Sequence, residues 1–162
     1  MMDKIDHTDA QILNLLQANG RMKRNDIADK VNLSVPSVSE RMRKLEERGV
    51  IKGYHAILDA KRLNMDITAF IRVTVDGSTN YQPFIDQAMK LSEVLEIHSV
   101  TGDGSHIVKV RTKNTTTLEH LLSKLQAFPN VHGTRTSIVL SSYKETRELP
   151  VIPMTLPLQD FD

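Results

Sequence analysis

The chain has 162 residues, enough for one large domain or two small ones, and its 21 Lys and Arg against 20 Asp and Glu exclude a uniformly basic nucleic-acid coat. The absence of cysteine removes disulfides, thiolate metal sites and a cysteine nucleophile, and suits a reducing cytoplasm. No apolar run is long enough to span a membrane, the polar opening MMDKIDHTDA is not expected to be a signal peptide, and four Phe, three Tyr and no Trp argue against a stacking surface for single strands.

In chain order, the first helix is expected to begin at Asp6, which can cap, with Asp9 three residues on in the manner of a capping box. Ile12, Leu13, Leu15 and Leu16 bury one side, and Asn19-Gly20 ends the helix. The stretch 24–51, RNDIADKVNLSVPSVSERMRKLEERGVI, reads as a short helix, a tight turn and a second helix ending at a glycine. Ile27, Ala28 and Val31 form the apolar face of the short helix. Asn32-Leu33-Ser34 makes the turn, with Ser34 a good N-cap and Pro36 tolerated in the turn that follows. Val38, Met42 and Leu45 repeat at i, i+4, i+7 as one buried stripe, and Gly49 sits where a helix C′ residue must turn left-handed. Two short helices joined this tightly predict a helix-turn-helix, whose second helix is shaped for the major groove of duplex DNA.

At about 100° per residue, Pro36, Ser37, Glu40, Arg43 and Lys44 fall opposite the buried stripe, and Ser39 lies at the flank. This face is short, polar and net basic, and its serines suit phosphate oxygens or base edges. An ordinary solvated helix face would look similar; the turn before it and the strand expected after it favour DNA binding. Nine basic and five acidic side chains between Arg21 and Lys52 fit a protein that adds a few phosphate contacts per copy in a dimer or larger assembly. Arg41 falls beside Leu45 on the packed side, so its head is expected to pair with an acid such as Asp6 or Asp9. Residues 50–58, VIKGYHAIL, read as a strand pair or one long strand bent at Gly53. Such a wing would lay Lys52 along the phosphate backbone.

Residues 59–66 show no strong period and are expected as a hinge, with Asn64 as its turn residue. Beyond it the β-branched run 67–75 is a strand, and 80–91 is a helix with Phe84, Ile85, Ala88 and Leu91 inward. Residues 94–100 form a strand, 101–105 a turn and 106–111 a strand. Residues 115–128 form a helix with Leu118, Leu121, Leu122 and Leu125 inward, and 130–143 hold a last strand centred on 136–140. The order βαββαβ predicts an α+β chain: a winged helix-turn-helix followed by a ferredoxin-like domain of four antiparallel strands with two helices on one face. The other sheet face is left open, and dimerisation commonly covers such a face. Three prolines exclude regular structure from the tail 148–162, ELPVIPMTLPLQDFD. Its apolar side chains predict that it lies extended over another subunit or its own DNA-binding domain, the alternative being a disordered end.

Six histidines include no short ligand pair; His98 and His106 flank the 101–105 turn, but two such ligands without an acid cluster make a poor metal site. Ser105 beside His106 is not expected to form a catalytic pair, because neighbours on a strand face opposite sides. No catalytic residue, metal or cofactor is expected.

The chain resembles the Lrp/AsnC, or feast/famine, family of prokaryotic transcription regulators over nearly its whole length. The resemblance rests on D-x-x-D-x-x-I-L-x-x-L at 6–16, D-I-A at 26–28, L-S-x-x-x-V-S-x-R at 33–41, L-E-x-x-G-V-I-x-G-Y at 45–54, V-T-G-D at 100–103 and T-R-T at 134–136. It implies a DNA-binding domain at 1–58, a hinge at 59–66, an effector-binding and dimerisation domain at 67–147 and a tail at 148–162. It also implies a homodimer assembling further to an octamer, and an amino-acid effector bound between subunits near Gly102, Asp103, Gly104, Ser105 and His106. The glycines would open backbone N–H groups to a carboxylate, Asp103 would take an ammonium group, Ser105 could add a hydroxyl, and Thr134 and Thr136 could face the same region. Many members carry an aromatic residue and an acid after Gly-Asp, where this chain has Gly104 and Ser105, so the expectation is either an effector other than leucine or binding that is weak or absent. Two other functions fit the scaffold: an architectural protein that wraps DNA without an effector, and a sirohaem-decarboxylase-like enzyme. The enzyme would need cationic and histidine residues gathered between domains.

Overall fold

The structure, a computed structural model, describes residues 5–153. It divides into two compact units: the described residues to Ile57 together with those from Glu145, and Leu58–Lys144.

The first unit is built on three helices, α1 His7–Ala18, α2 Arg24–Val31 and α3 Val35–Glu47. Asp6 caps α1 by accepting the Asp9 N–H at 2.7 Å. Asn32, left-handed at φ 53, turns the chain from α2 into α3, and Ser34 caps α3 with Pro36 in its first turn. Ile12, Leu16, Ile27, Ala28, Val31, Val38 and Met42 form the core, so the i, i+4 stripe on α3 faces the other two helices. Gly49, at φ 71 in open space, releases the chain beyond α3. Arg41 is packed as its position on the wheel predicts: its Nη1 lies 2.7 Å from both Asp6 Oδ2 and Asp9 Oδ1. Burial pushes the Asp6 carboxyl up, but the Asp9 N–H and the Arg41 guanidinium outweigh it and hold the group below its ordinary value.

The strand or strand pair expected over 50–58 is corrected. Among the described residues no strand forms over 50–58; the segment is largely exposed, with Ile57 fully so. A strand needs a neighbour for its ladder, and this segment pairs with none in the described chain. The 59–66 segment, expected as a hinge, contains a 3-10 turn at Lys61–Leu63 closed by a left-handed Asn64.

The second unit is β1 Ile67–Val75, α4 Tyr81–Ala88, β2 Val94–Ser99, β3 His106–Thr112, α5 Thr115–Gln126 and β4 Val131–Ile138. The antiparallel sheet has the order β2-β3-β1-β4. Ala69, Ile71, Val73 and Val75 alternate inward along β1. They pack with Val108 and Val110 against Phe84 and Ala88 of α4 and Leu118, Leu121 and Leu125 of α5. The last strand is shorter than expected and centred earlier. Its ladder stops after Val139 donates to Thr68 O at 2.9 Å, because β1 begins at Ile67 and offers nothing further to pair with.

Of the tail, 148–153 carry neither helix nor strand. Gln17 on α1 holds Leu149 from both sides, its Nε2 donating to Leu149 O at 3.0 Å and its Oε1 accepting the Leu149 N–H at 2.7 Å. The expected placement of 154–162 lies outside the described residues.

Replacing Arg41 with Ala should lower stability by about 1 kcal/mol, a charged hydrogen bond discounted for exposure. Because the Asp6 pKa is depressed, this contribution is present above the ordinary carboxylate value of 3.8 and is lost as pH falls through the folded value. Urea melts should therefore show a gap to wild type at pH 7 that narrows below that value; equal gaps at both pH values would contradict the assignment. Truncation after Arg147 should speed amide exchange in α1; unchanged exchange there would mean that the Leu149 contact holds nothing.

Candidate nucleic-acid interface and ligand recess

The outward face of α3 is set by the burial of its opposite side. Pro36, Ser37, Glu40, Arg43 and Lys44 are exposed and Ser39 is half-buried. Ser34 Oγ accepts the Ser37 N–H at 3.3 Å, and the two hydroxyls lie 2.8 Å apart at the helix's positive end. Arg43 grips Glu40 with both arms of its fork, Nε to Oε2 at 2.9 Å and Nη2 to Oε1 at 2.7 Å, and its Nη1 also bonds Glu47. Lys44 Nζ stands 3.5 Å from Glu40. The Arg43 hydrogen bond, foremost among these contacts, holds the Glu40 carboxyl down at about 2. These pairs are exposed, so they hold Arg43 and Lys44 weakly and leave them exchangeable onto other anions. The wheel omitted Glu47, and with it the face is closer to charge balance than the sequence reading gave. Beyond the helix, Tyr54 donates its hydroxyl to Glu46 Oε1 at 2.9 Å, and burial with Glu46 pushes its pKa up to about 12. Lys52 is exposed on a segment that forms no strand.

The loop between β2 and β3 leans over the open face of β1. Gly104, at φ 84, passes so close that a Cβ there would stand 3.1 Å from Val73 O. Gly102, at φ 89, faces open space. The loop roofs a recess of about 220 Å3 lined by Arg72, Thr74, Asp103, Gly104, Gly133, Thr134 and Arg135. Arg72 Nη1 donates to Asp103 O at 3.4 Å, and Arg135 Nη1 lies 3.8 Å from Asp103 Oδ2.

Four expected effector residues are placed otherwise. Ser105 is buried: its hydroxyl donates to Val73 O at 3.1 Å and accepts the Val75 N–H at 3.0 Å, so it ties the loop to β1 and has nothing left for a ligand. His106 is wholly buried on the helix side, edge-on to Tyr81 and tilted against Phe84, with ring centroids 4.8 and 5.0 Å away. Burial pushes its pKa down. The two side chains also touch, His106 Nδ1 to Ser105 Oγ at 2.8 Å, against the expected alternation; Ser105 lies before β3 begins, so strand geometry does not govern it. Thr136 pairs with buried Ile71 on the helix side and does not line the recess. Thr134 borders the recess, but its hydroxyl accepts from Gln126 Nε2 at 2.8 Å. His98 lies 3.4 Å from Glu96 and is exposed, whereas His106 is buried, so the two histidines do not converge.

The sequence reading missed Arg72, Thr74, Gly133 and Arg135. Alternation along β1 would have put Arg72 and Thr74 on the open face, but placing Arg135 beside Arg72 needed the strand register.

Residues 68–149 match the Lrp/AsnC ligand binding domain, and residues 5–52 match a winged helix-turn-helix DNA-binding family. The HTH-type transcriptional regulator FL11 of Pyrococcus horikoshii is 38% identical over 147 residues, covering 91% of this chain and 97% of the relative. The leucine-responsive regulatory protein of Escherichia coli K12 is 33% identical over 150 residues, covering 91% and 92%. Among solved structures, a feast or famine regulatory protein from M. tuberculosis complexed with L-methionine is 29% identical. It superposes with a TM-score of 0.85, covering 91% of this chain and 99% of that one. A transcriptional regulator–L-Met complex from Neisseria meningitidis is 30% identical with a TM-score of 0.85, covering 90% and 96%.

The loop glycines should differ in what they tolerate. Gly102→Ala meets only backbone strain, about 1 kcal/mol, whereas Gly104→Ala adds a clash with the β1 backbone and should cost about 2 kcal/mol. Urea melts of the two variants decide it; an equal or larger loss from Gly102→Ala would contradict the close approach over Val73.

Proposed function

The chain belongs to the Lrp/AsnC family of DNA-binding transcriptional regulators, and we propose that it reads duplex DNA with the outward face of α3 and answers to an amino acid or similar small zwitterion held at the Asp103 recess. The observation that carries the DNA reading is the division of labour on α3. Val38, Met42 and Leu45 are spent on packing, while Ser37, Glu40, Arg43 and Lys44 stand free of the core. Arg43 and Lys44 can exchange Glu40 for phosphates, the serines suit phosphate oxygens, and Glu40 can accept from a cytosine amino group. Pro36 and Ser39 flank this contact, and Lys52 adds charge from the segment beyond.

The effector reading is supported by the recess itself and by the L-methionine bound to the M. tuberculosis and Neisseria relatives. Asp103 would take the ammonium group, and an arginine the carboxylate. A homodimer, assembling further to an octamer, is supported by two features that one copy leaves uncovered. The open sheet face carries exposed Phe70 beside half-buried Ile107, and the 52–58 segment, with exposed Ile57, joins no sheet among the described residues. Relatives named as regulators support a non-enzymatic role. A cytoplasmic location accords with the cysteine-free composition; among the described residues no helix is long and apolar enough to cross a membrane.

Footprinting should show protected half-sites about one helical turn, or a multiple, apart. Arg43→Ala and Lys44→Ala should each weaken binding, lower the salt slope by about one and leave the melting temperature near wild type. No protection at low salt would overturn the DNA reading. Protection that no amino acid alters would point instead to an architectural role in wrapping DNA.

A further inference from the structure

Resting on the reading of the Asp103 recess as the effector site, we infer that its occupant carries a second carboxylate: a dicarboxylic amino acid, in preference to a neutral or basic one. Arg72 and Arg135 are direct cross-strand partners on β1 and β4. Like charges in that position destabilise a sheet, so the pairing calls for an anion between them. The recess lining supplies one carboxylate, and that one is poorly used. Asp103 meets Arg135 at 3.8 Å, beyond a good hydrogen bond, while Arg72 reaches only the Asp103 carbonyl, at 3.4 Å. Two guanidiniums against one carboxylate leave the site one positive charge in excess.

A zwitterion whose ammonium group occupies Asp103 leaves both guanidiniums to its remaining groups. An α-carboxylate satisfies one. A methionine or leucine side chain leaves the other cation without a counter-charge, and a lysine side chain adds a third cation. Only a side-chain carboxylate closes the balance, and the planar fork of arginine is matched to that group. The space permits it. Gly133, opposite Thr74, has nothing within 4 Å of where a Cβ would stand, so the floor beside the two arginines is open. Thr74 adds a hydroxyl at the same floor.

The test is calorimetry of the full chain with L-glutamate, L-aspartate, L-methionine, L-leucine and L-lysine at one salt concentration. Glutamate or aspartate should bind about tenfold or more tighter than methionine or leucine, the worth of one charged hydrogen bond, and lysine should bind weakest. Arg72→Gln should abolish the preference, so that the dicarboxylate binds no tighter than methionine. Arg72→Glu should turn the preference toward lysine. The Arg72 side chain is exposed, so melting temperatures of both variants should stay near wild type and serve as the folding control. Methionine or leucine binding as tightly as glutamate, or selectivity that survives Arg72→Gln, would overturn this inference and leave the effector reading standing. Silence from all five would bring down the effector reading and this inference together.

Discussion

Arg41 fixes the rotation of α3, and the rest of the DNA-binding unit depends on it. One nitrogen serves two carboxylates at 2.7 Å, and the two are not equivalent. Asp9 is buried, so its charge needs a partner where water cannot supply one. Asp6 is half-exposed and already caps α1 through the Asp9 N–H. The residue that starts α1 thus also positions α3. Burial of Val38, Met42 and Leu45 contributes more free energy, but apolar burial is non-directional and tolerates sliding. A bifurcated ion pair does not. With Arg41 held against α1, Arg43 and Lys44 are turned away from the core by the helical period, and the exposed face follows without any further contact.

The second unit places its loop with the same kind of economy, through Ser105. The Ser105 hydroxyl has one proton to give. Val73 O takes it, so the serine oxygen must accept from both the Val75 N–H and His106 Nδ1–H. The ring is then a neutral Nδ1–H tautomer whose buried Nε2 finds no partner among the described residues, packed against Tyr81 and Phe84. Burial depresses the His106 pKa, in accord with that neutral state. The base of the loop is therefore fixed to β1 from below. Gly104 allows the close approach, and Asp103 is left as the group presented to the open face.

Local periodicity made much of this legible. The caps at Asp6 and Ser34, the stripe on α3, the packed side of Arg41 and the alternation of β1 all depend on residues within one or two turns of each other. The failures share one cause: they depend on partners far away in sequence. Residues 50–58 have strand-like composition, but composition cannot supply a neighbouring strand. The last strand was centred on its most apolar run, whereas its true extent follows from where β1 begins. Ser105 and His106 were read as loop residues because their partners, Val73, Val75, Tyr81 and Phe84, lie more than twenty residues away. Arg72 and Arg135 each look like an ordinary solvated strand residue until the register sets them opposite each other.

That opposition also bears on how a ligand could influence DNA binding. The recess lies in one unit and α3 in the other. Linkage requires the ligand to bind two states of the protein unequally, because equal affinity shifts nothing. The recess lies on the open sheet face, the surface that self-association would cover. In the proposed assembly, Arg72 and Arg135 would then be buried with their repulsion only partly answered by Asp103, since screening by water is lost on burial. An anionic ligand between them would relieve that penalty most in the covered state. Assembly is therefore the variable such a ligand would bias, and the number of carboxylates it carries sets the size of the bias.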